Sequence, residues 1–231
     1  MGKKKLFRFA EMETFDHVIQ ASFDEVFQKD YKLKGNWNTD FFKNTNPIVL
    51  ELGCGKGEYT VGLAKLNPNI NYVGIDIKGA RMWRGARTAK DDNMNNVAFV
   101  RTRIDLINSF FAPEEISEIW ITFPDPQPKK SHKRLTSSRF LGYYQKFVKN
   151  DGIINLKTDS AELYAYTKKV VELNQLEVLA DTDDLYRSTI VDEILSIRTF
   201  YEQQFLGKGK PITYLRFKLK NNIYLEEPEE E

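Results

Sequence analysis

The sequence of 231 residues contains one cysteine, Cys54. A lone cysteine excludes an internal disulfide and any zinc site built on several thiolates. It suits a reducing compartment, so a cytoplasmic location and no bound metal are expected. Long apolar runs are missing as well. Stretches such as Ile48–Leu50 and Ile119–Ile121 fall far short of the about 20 residues that span a bilayer. The basic start Met1-Gly2-Lys3-Lys4-Lys5 is not followed by an apolar stretch, so neither a signal peptide nor a membrane partner is expected. The HExxH, G-x-S-x-G and Walker patterns are also absent, which removes the common hydrolase and NTPase readings.

Acid is missing from two particular places. Between Pro126 and Asn150 there are seven Lys or Arg and no Asp or Glu. Lys78, Arg81, Arg84, Arg87 and Lys90 recur every three residues, again with no acid among them. The formal net charge of +1 hides these zones, because Glu226-Glu227-Pro228-Glu229-Glu230-Glu231 gathers five acids. Without that tail the body carries about +6. One basic stripe can be a solvated helix face; two acid-free zones favour a polyanionic partner.

What is present is an alternation of strands and helices. Apolar runs bounded by turn residues place strands at Ile48–Leu52, Asn71–Asp76, Val97–Arg101, Ile119–Phe123, Ile153–Lys157 and Glu177–Ala180. Helical spacing places helices at Phe15–Phe27, from Lys56–Glu58 to Leu66, and at Gly79–Lys90, Ser138–Val148, Ala161–Asn174 and Ile194–Phe205. Pro211–Leu219 alternates as a last strand, expected to be antiparallel. The expected fold is therefore α/β and Rossmann-like, an open and mostly parallel sheet with helices on both faces. An N-terminal arm over 1–46 belongs to the same domain, 47–220 form its body, and 221–231 are the acidic tail. No internal repeat is present, and a monomer or homodimer is expected.

Leu50-Glu51-Leu52-Gly53-Cys54-Gly55-Lys56-Gly57 sits where the first of the alternating strands should end and its helix begin. In such sheets ligands bind at the carboxyl ends of strands. The three glycines allow positive φ and close backbone approach, and Asp76 at the next strand end is placed to accept hydrogen bonds from a ribose diol. A dinucleotide would want G-x-G-x-x-G and an open helix N-terminus for its pyrophosphate. Glu51, two residues before the first glycine, would repel pyrophosphate; it suits the sulfonium and ammonium groups of S-adenosylmethionine. Cys54 reads as a small side chain in a tight place, without a nucleophilic role.

A second unusual stretch runs Phe123-Pro124-Asp125-Pro126-Gln127-Pro128-Lys129-Lys130-Ser131-His132-Lys133-Arg134. Three alternating prolines predict an extended, stiffened chain at a strand end. A carboxylate held there loses little further entropy on binding a substrate. The bases behind it are placed to meet phosphates, whereas His132 reads as a surface residue. The bland alternative is a rigid crossover loop with a solvated charge run.

Leu50–Glu58, Asn71–Asp76, Phe123–Lys130, Arg134-Leu135-Thr136, Lys157-Thr158-Asp159 and Thr199-Phe200-Tyr201-Glu202 occur in one order and spacing. Together they resemble the bacterial tRNA (guanine-N7-)-methyltransferase family, over about Phe15 to Leu219. The resemblance implies a class I methyltransferase fold, S-adenosylmethionine as cofactor and tRNA as partner. It implies methyl transfer to N7 of a guanine, number 46 in the variable loop, giving 7-methylguanosine. Carried over by position, Glu51, Gly53, Gly55, Gly57, Asp76, Arg103, Ile104 and Asp125 fall at cofactor positions, with Asp125 also the catalytic acid. Lys129, Asp159, Thr199 and Glu202 fall at positions that contact tRNA. Three departures stand out: Gln127 where the family has tryptophan, a basic stretch about two residues short, and Arg103-Ile104 where the family has an Asp-Ala pair near the adenine, with Asp105 close by.

Overall fold

Three strands of the computed structural model, β2 (Ile48–Leu52), β3 (Asn71–Asp76) and β4 (Val97–Arg101), end within a residue of where the sequence places them. The structure describes residues 3–229. It separates into two units, Met1–Phe111 and Ala112–Glu231.

In the first unit α1 (Lys3–Met12) precedes a two-residue strand β1 (Val18–Ile19), a short helix α2 (Phe23–Val26) and a π-helical turn at Trp37–Phe42. Then β2, α3 (Glu58–Leu66), β3, α4 (Gly79–Asp91) and β4 alternate. A 3₁₀ turn at Ile104–Ser109 follows. The strands lie parallel in the order β1-β4-β3-β2. Every residue of β2 is buried, as expected of a parallel strand covered on both faces. Of the helix expected over Phe15–Phe27 only the short α2 forms. Val18 and Ile19 instead pair with Phe99 and Val100, and the open edge of β4 outweighs the helical spacing.

The basic stripe lies on α4, with all five of its cations exposed. Arg87 and Lys90 pack against the N-terminal segment. Arg87 bonds both oxygens of Asp91 and reaches Glu11 of α1, while Lys90 lies 4.5 Å above the Phe15 ring. That end of the stripe therefore helps fasten the N-terminal segment.

In the second unit β5 (Ile116–Thr122) and β6 (Val148–Thr158) are parallel. Helix α5 (Ser138–Tyr144) lies between them in sequence, and α6 (Ala161–Leu173) follows β6. Strand β7 (Val178–Thr182), helix α7 (Phe200–Leu206) and strand β8 (Thr213–Leu219) complete the order β5-β6-β8-β7. β8 runs antiparallel to both neighbours, as its sequence position and alternation predict. α7 begins six residues later than expected, because Thr199 caps it.

Candidate functional site

Register decides where the glycine-rich turn points. Glu51 pairs with Gly74 and Leu52 with Ile75, so β2 and β3 finish side by side. The Gly53 and Cys54 N–H groups both donate to the Ile75 carbonyl, at 2.8 and 3.0 Å. Gly53, Gly55 and Gly57 have φ of 74°, 55° and 70°, the left-handed region that glycine enters without steric cost. Two of them serve different ends. A Cβ at Gly57 would come within 2.6 Å of the Phe99 ring and 3.1 Å of the Gly85 Cα. A Cβ at Gly55 would meet nothing nearer than the Gly53 carbonyl at 3.9 Å. Gly57 is therefore a packing requirement, while Gly55 leaves an open face for a ligand.

Two carboxylates hold this turn. Asp76 accepts from the Gly55 N–H at 2.9 Å with one oxygen and from the Lys78 N–H at 2.7 Å with the other. Each oxygen keeps a second lone pair, so a ribose contact would share Asp76 with the turn. Glu51 is 2% exposed and accepts from both the N–H (2.8 Å) and the hydroxyl of Thr60 in the first turn of α3. A negative charge there also complements the helix dipole. Burial first, then the charges of Glu51 and Asp76, push the Cys54 thiol well above its usual range. It stays protonated, in line with a non-nucleophilic role. The donor set, two carboxylates and an open glycine backbone, fits a ligand carrying positive charge and hydroxyls better than a pyrophosphate.

Arg103 stands just beyond β4 and is 59% exposed. Its Nε donates to Asp105 at 3.0 Å, so the acid nearest the family's missing aspartate is engaged by the arginine itself. Ile104 opens the 3₁₀ turn.

The second unit presents its acids differently. Thr122 pairs with Lys157, and the Phe123 N–H donates to the Lys157 carbonyl at 2.8 Å. Asp125 and Asp159 thus leave neighbouring strand ends. Asp125 is exposed, its carboxylate accepting from the Gln127 N–H at 3.2 Å. The loop is not simply extended, as its prolines predict. Phe123 and Gln127, each just before a proline, have φ of 48° and 47°. A left-handed non-glycine residue costs roughly 1–3 kcal/mol, so the surroundings must hold it. The Phe123 ring packs 6.0 Å from Phe205 of α7, and Arg134 Nε donates to the Pro126 carbonyl at 3.0 Å. Arg134 is itself buried, bonded to Glu162 and lying 4.4 Å over the Tyr166 ring. The sequence shows it as a base in a run and the first residue of the Arg134-Leu135-Thr136 motif; the fold uses it to anchor the loop. Lys129, Lys130, His132 and Lys133 remain exposed.

Asp159 pairs with Lys210 at 3.2 Å, and Lys210 also lies 5.3 Å over the Phe205 ring. The Asp125 loop, Asp159 and α7 are thereby brought together. Thr199 and Glu202 form the two halves of a capping box at the start of α7, each accepting from the other's backbone N–H at 3.2 Å. Glu202 is fully buried. It pairs with Lys157 at 2.8 Å and accepts from the Tyr186 hydroxyl at 2.6 Å. Lys157 also donates to the carbonyls of Leu195 and Ile197. Desolvation lowers the Lys157 pKa, and Glu202 opposes that shift. Glu202 therefore shapes the segment before α7 from beneath, while Thr199 ends it. In the sequence Lys157 stands only as a member of the Lys157-Thr158-Asp159 motif; that it is buried and supports this segment from beneath has no signature in a strand.

Residues 45–215 match the model of a family described as putative methyltransferase. A tRNA (guanine-N(7)-)-methyltransferase of Bacteroides thetaiotaomicron is 52% identical over 231 residues, covering 100% of this chain and 92% of the relative. One from Porphyromonas gingivalis is 57% identical over 211 residues, covering 90% and 86%. Among solved structures, the 16S rRNA methyltransferase KamB aligns with a TM-score of 0.61 at 12% identity, covering 84% of this chain and 95% of that one. That likeness, with the mostly parallel sheet, is the Rossmann-like class I methyltransferase fold. Identity above one half along nearly the whole length, together with the carboxylate-held glycine turn, places the chain in the tRNA (guanine-N(7)-)-methyltransferase family.

Proposed function

We propose that this chain methylates N7 of guanine-46 in the tRNA variable loop, using S-adenosylmethionine and giving 7-methylguanosine. The observation that carries the reading is the 52% identity over all 231 residues with a curated tRNA (guanine-N(7)-)-methyltransferase. Enzyme class and cofactor follow from the family; guanine-46 follows from the resemblance of the motifs. Among the described residues no helix is long and apolar enough to cross a membrane.

S-adenosylmethionine supplies an electrophilic methyl group when bound. The Gly53–Gly57 turn, Glu51 and Asp76 hold and orient it, Asp76 through the ribose and Gly55 through its open backbone. Arg103 and Ile104 offer backbone contacts near the adenine. Guanine N7 has an in-plane lone pair and no proton, so no general base is required. The base becomes cationic on methylation, and a carboxylate near it lowers the energy of that developing charge. Asp125 is assigned that role, and its cofactor contact rests on the resemblance alone. Asp125 and Asp159 together are suited to accept hydrogen bonds from the guanine N1–H and amino group. Lys129 meets phosphate, and Thr199 with Glu202 sets the edge of the substrate site. In an A-form helix N7 lies in a deep, narrow groove, which favours a loop guanine as target. Mass spectrometry of bulk tRNA after incubation with the protein and methyl-labelled cofactor tests the reading. Label in 7-methylguanosine at position 46 is expected; label on another base or position overturns it.

A further inference from the structure

The acidic segment beyond β8 is fastened to the second unit. Asn174 exchanges two hydrogen bonds with the Glu226 backbone, at 2.7 and 2.9 Å. Glu227 accepts from the Ser138 N–H at 2.9 Å and from the Tyr166 hydroxyl. Its neighbours Pro228 and Glu229 close one side of a cavity of about 340 Å³ whose other walls include Lys129, Arg134, Tyr166 and Lys169. The loop from Pro126 to Asn150 has no acid of its own. The carboxylates set against it come from Glu162 on α6 and from the tail.

Charge gives this arrangement a meaning. Lys129, Arg134 and Lys169 share the cavity wall with Glu162 and Glu229, and Glu227 is held beside it on the Tyr166 hydroxyl, so the tail offsets most of the cavity's positive charge. With the tail carboxylates gone, three cations would face one acid. We infer that this cavity is a binding site for the phosphate backbone of RNA, which Glu229 lines and Glu227 borders until RNA displaces them. This rests on the proposed tRNA substrate. Tyr166 and Ser138 supply O–H and N–H donors that serve a carboxylate or a phosphate alike. Lys130 and Lys133, adjacent in sequence to the cavity residues Lys129 and Arg134, are exposed on the same loop and add the further positive charge that a chain of phosphates requires and a single small anion does not. RNA arriving here releases a tethered carboxylate in place of mobile counterions.

Fluorescence anisotropy with bulk tRNA, on the full chain and on a Glu227→Gln/Glu229→Gln variant, tests this. At about 50 mM salt the variant should bind roughly tenfold tighter, and its log K against log salt should be steeper by about 1–2. Glu229→Gln alone leaves the two hydrogen bonds of Glu227 in place and should give a smaller change of the same sign. Glu226→Gln removes one unit of tail charge at an exposed site and should change affinity less than about twofold. Equal affinity and slope in the double variant overturn the inference, as does an equal effect of Glu226→Gln, which would mean diffuse tail charge. Absence of tRNA binding by both proteins overturns the functional reading and this one with it.

Discussion

At the strand ends of residues 1–111 the acids turn inward. Asp76 accepts two backbone N–H groups, and Glu51 is buried against Thr60. At the strand ends of residues 112–231 they are held by fewer partners: Asp125 is exposed with one 3.2 Å hydrogen bond, and Asp159, partly buried, is held by one lysine at the same distance. In that unit the inward acid is Glu202, which sits behind the site. A small cofactor met in one pose is served by a turn fixed through its own amides. The proposed macromolecular substrate calls for carboxylates with few partners of their own, while the backbone beneath them is fixed by other means.

The largest expected effect concerns that fixing. Glu202→Gln removes one partner of a wholly buried ion pair, a change that costs about 3–5 kcal/mol. Lys157, already lowered by desolvation, would fall further. Between its folded and unfolded pKa the unfolded chain binds more protons, so stability gains with rising pH there. The loss on denaturant unfolding should therefore be greatest near pH 7 and smaller near pH 10. A loss that does not vary with pH would mean that Lys157 is not the residue left uncompensated.

Next in size is Asp125→Asn, which keeps the shape and removes the charge. Single-turnover methyl transfer at saturating tRNA and cofactor should fall about a hundredfold, with little change in melting temperature. Near-normal transfer would pass the role to Asp159. Asp76→Ala should show the opposite coupling, because its hydrogen bonds hold the turn as well as the ligand. Cofactor affinity by calorimetry should fall roughly ten- to hundredfold, as charged hydrogen bonds of ~1.5–3 kcal/mol imply, and the melting temperature should drop with it. Weakened binding without any loss of stability would mean that Asp76 serves the ligand alone. The smallest effect is at Cys54: its raised pKa should make alkylation at pH 8 more than about tenfold slower than that of a free thiol. Asp76→Ala should relieve part of that protection.

The glycine-turn half is the more legible because local chemistry writes it. A strand, a glycine turn and an acid at the next strand end are sequence-adjacent, and β2, β3 and β4 fall on their apolar runs. The pieces that escaped are made by distant partners. Val18 and Ile19 are a strand only because β4 offers an edge. Arg134 is buried only because Glu162 and Tyr166 meet it. Phe123 and Gln127 are left-handed against their own preference. One miss had a local signal: Thr199-Phe200-Tyr201-Glu202 is a capping box, and it marks the start of α7 inside what helical spacing alone extends back to Ile194.

Phe99 lies under three glycines at once. Cβ atoms at Gly57, Gly74 and Gly85 would each come within 2.9 Å of its ring. Three of the walls of its cage are therefore main chain, which cannot step aside as a neighbouring side chain can. Rotation of that ring by half a turn requires the glycine turn, β3 and α4 to breathe together. Its two edges should thus give separate aromatic NMR signals at room temperature. Their coalescence on warming would clock the opening of the cofactor turn without any ligand present, and Asp76→Ala should bring coalescence to a lower temperature.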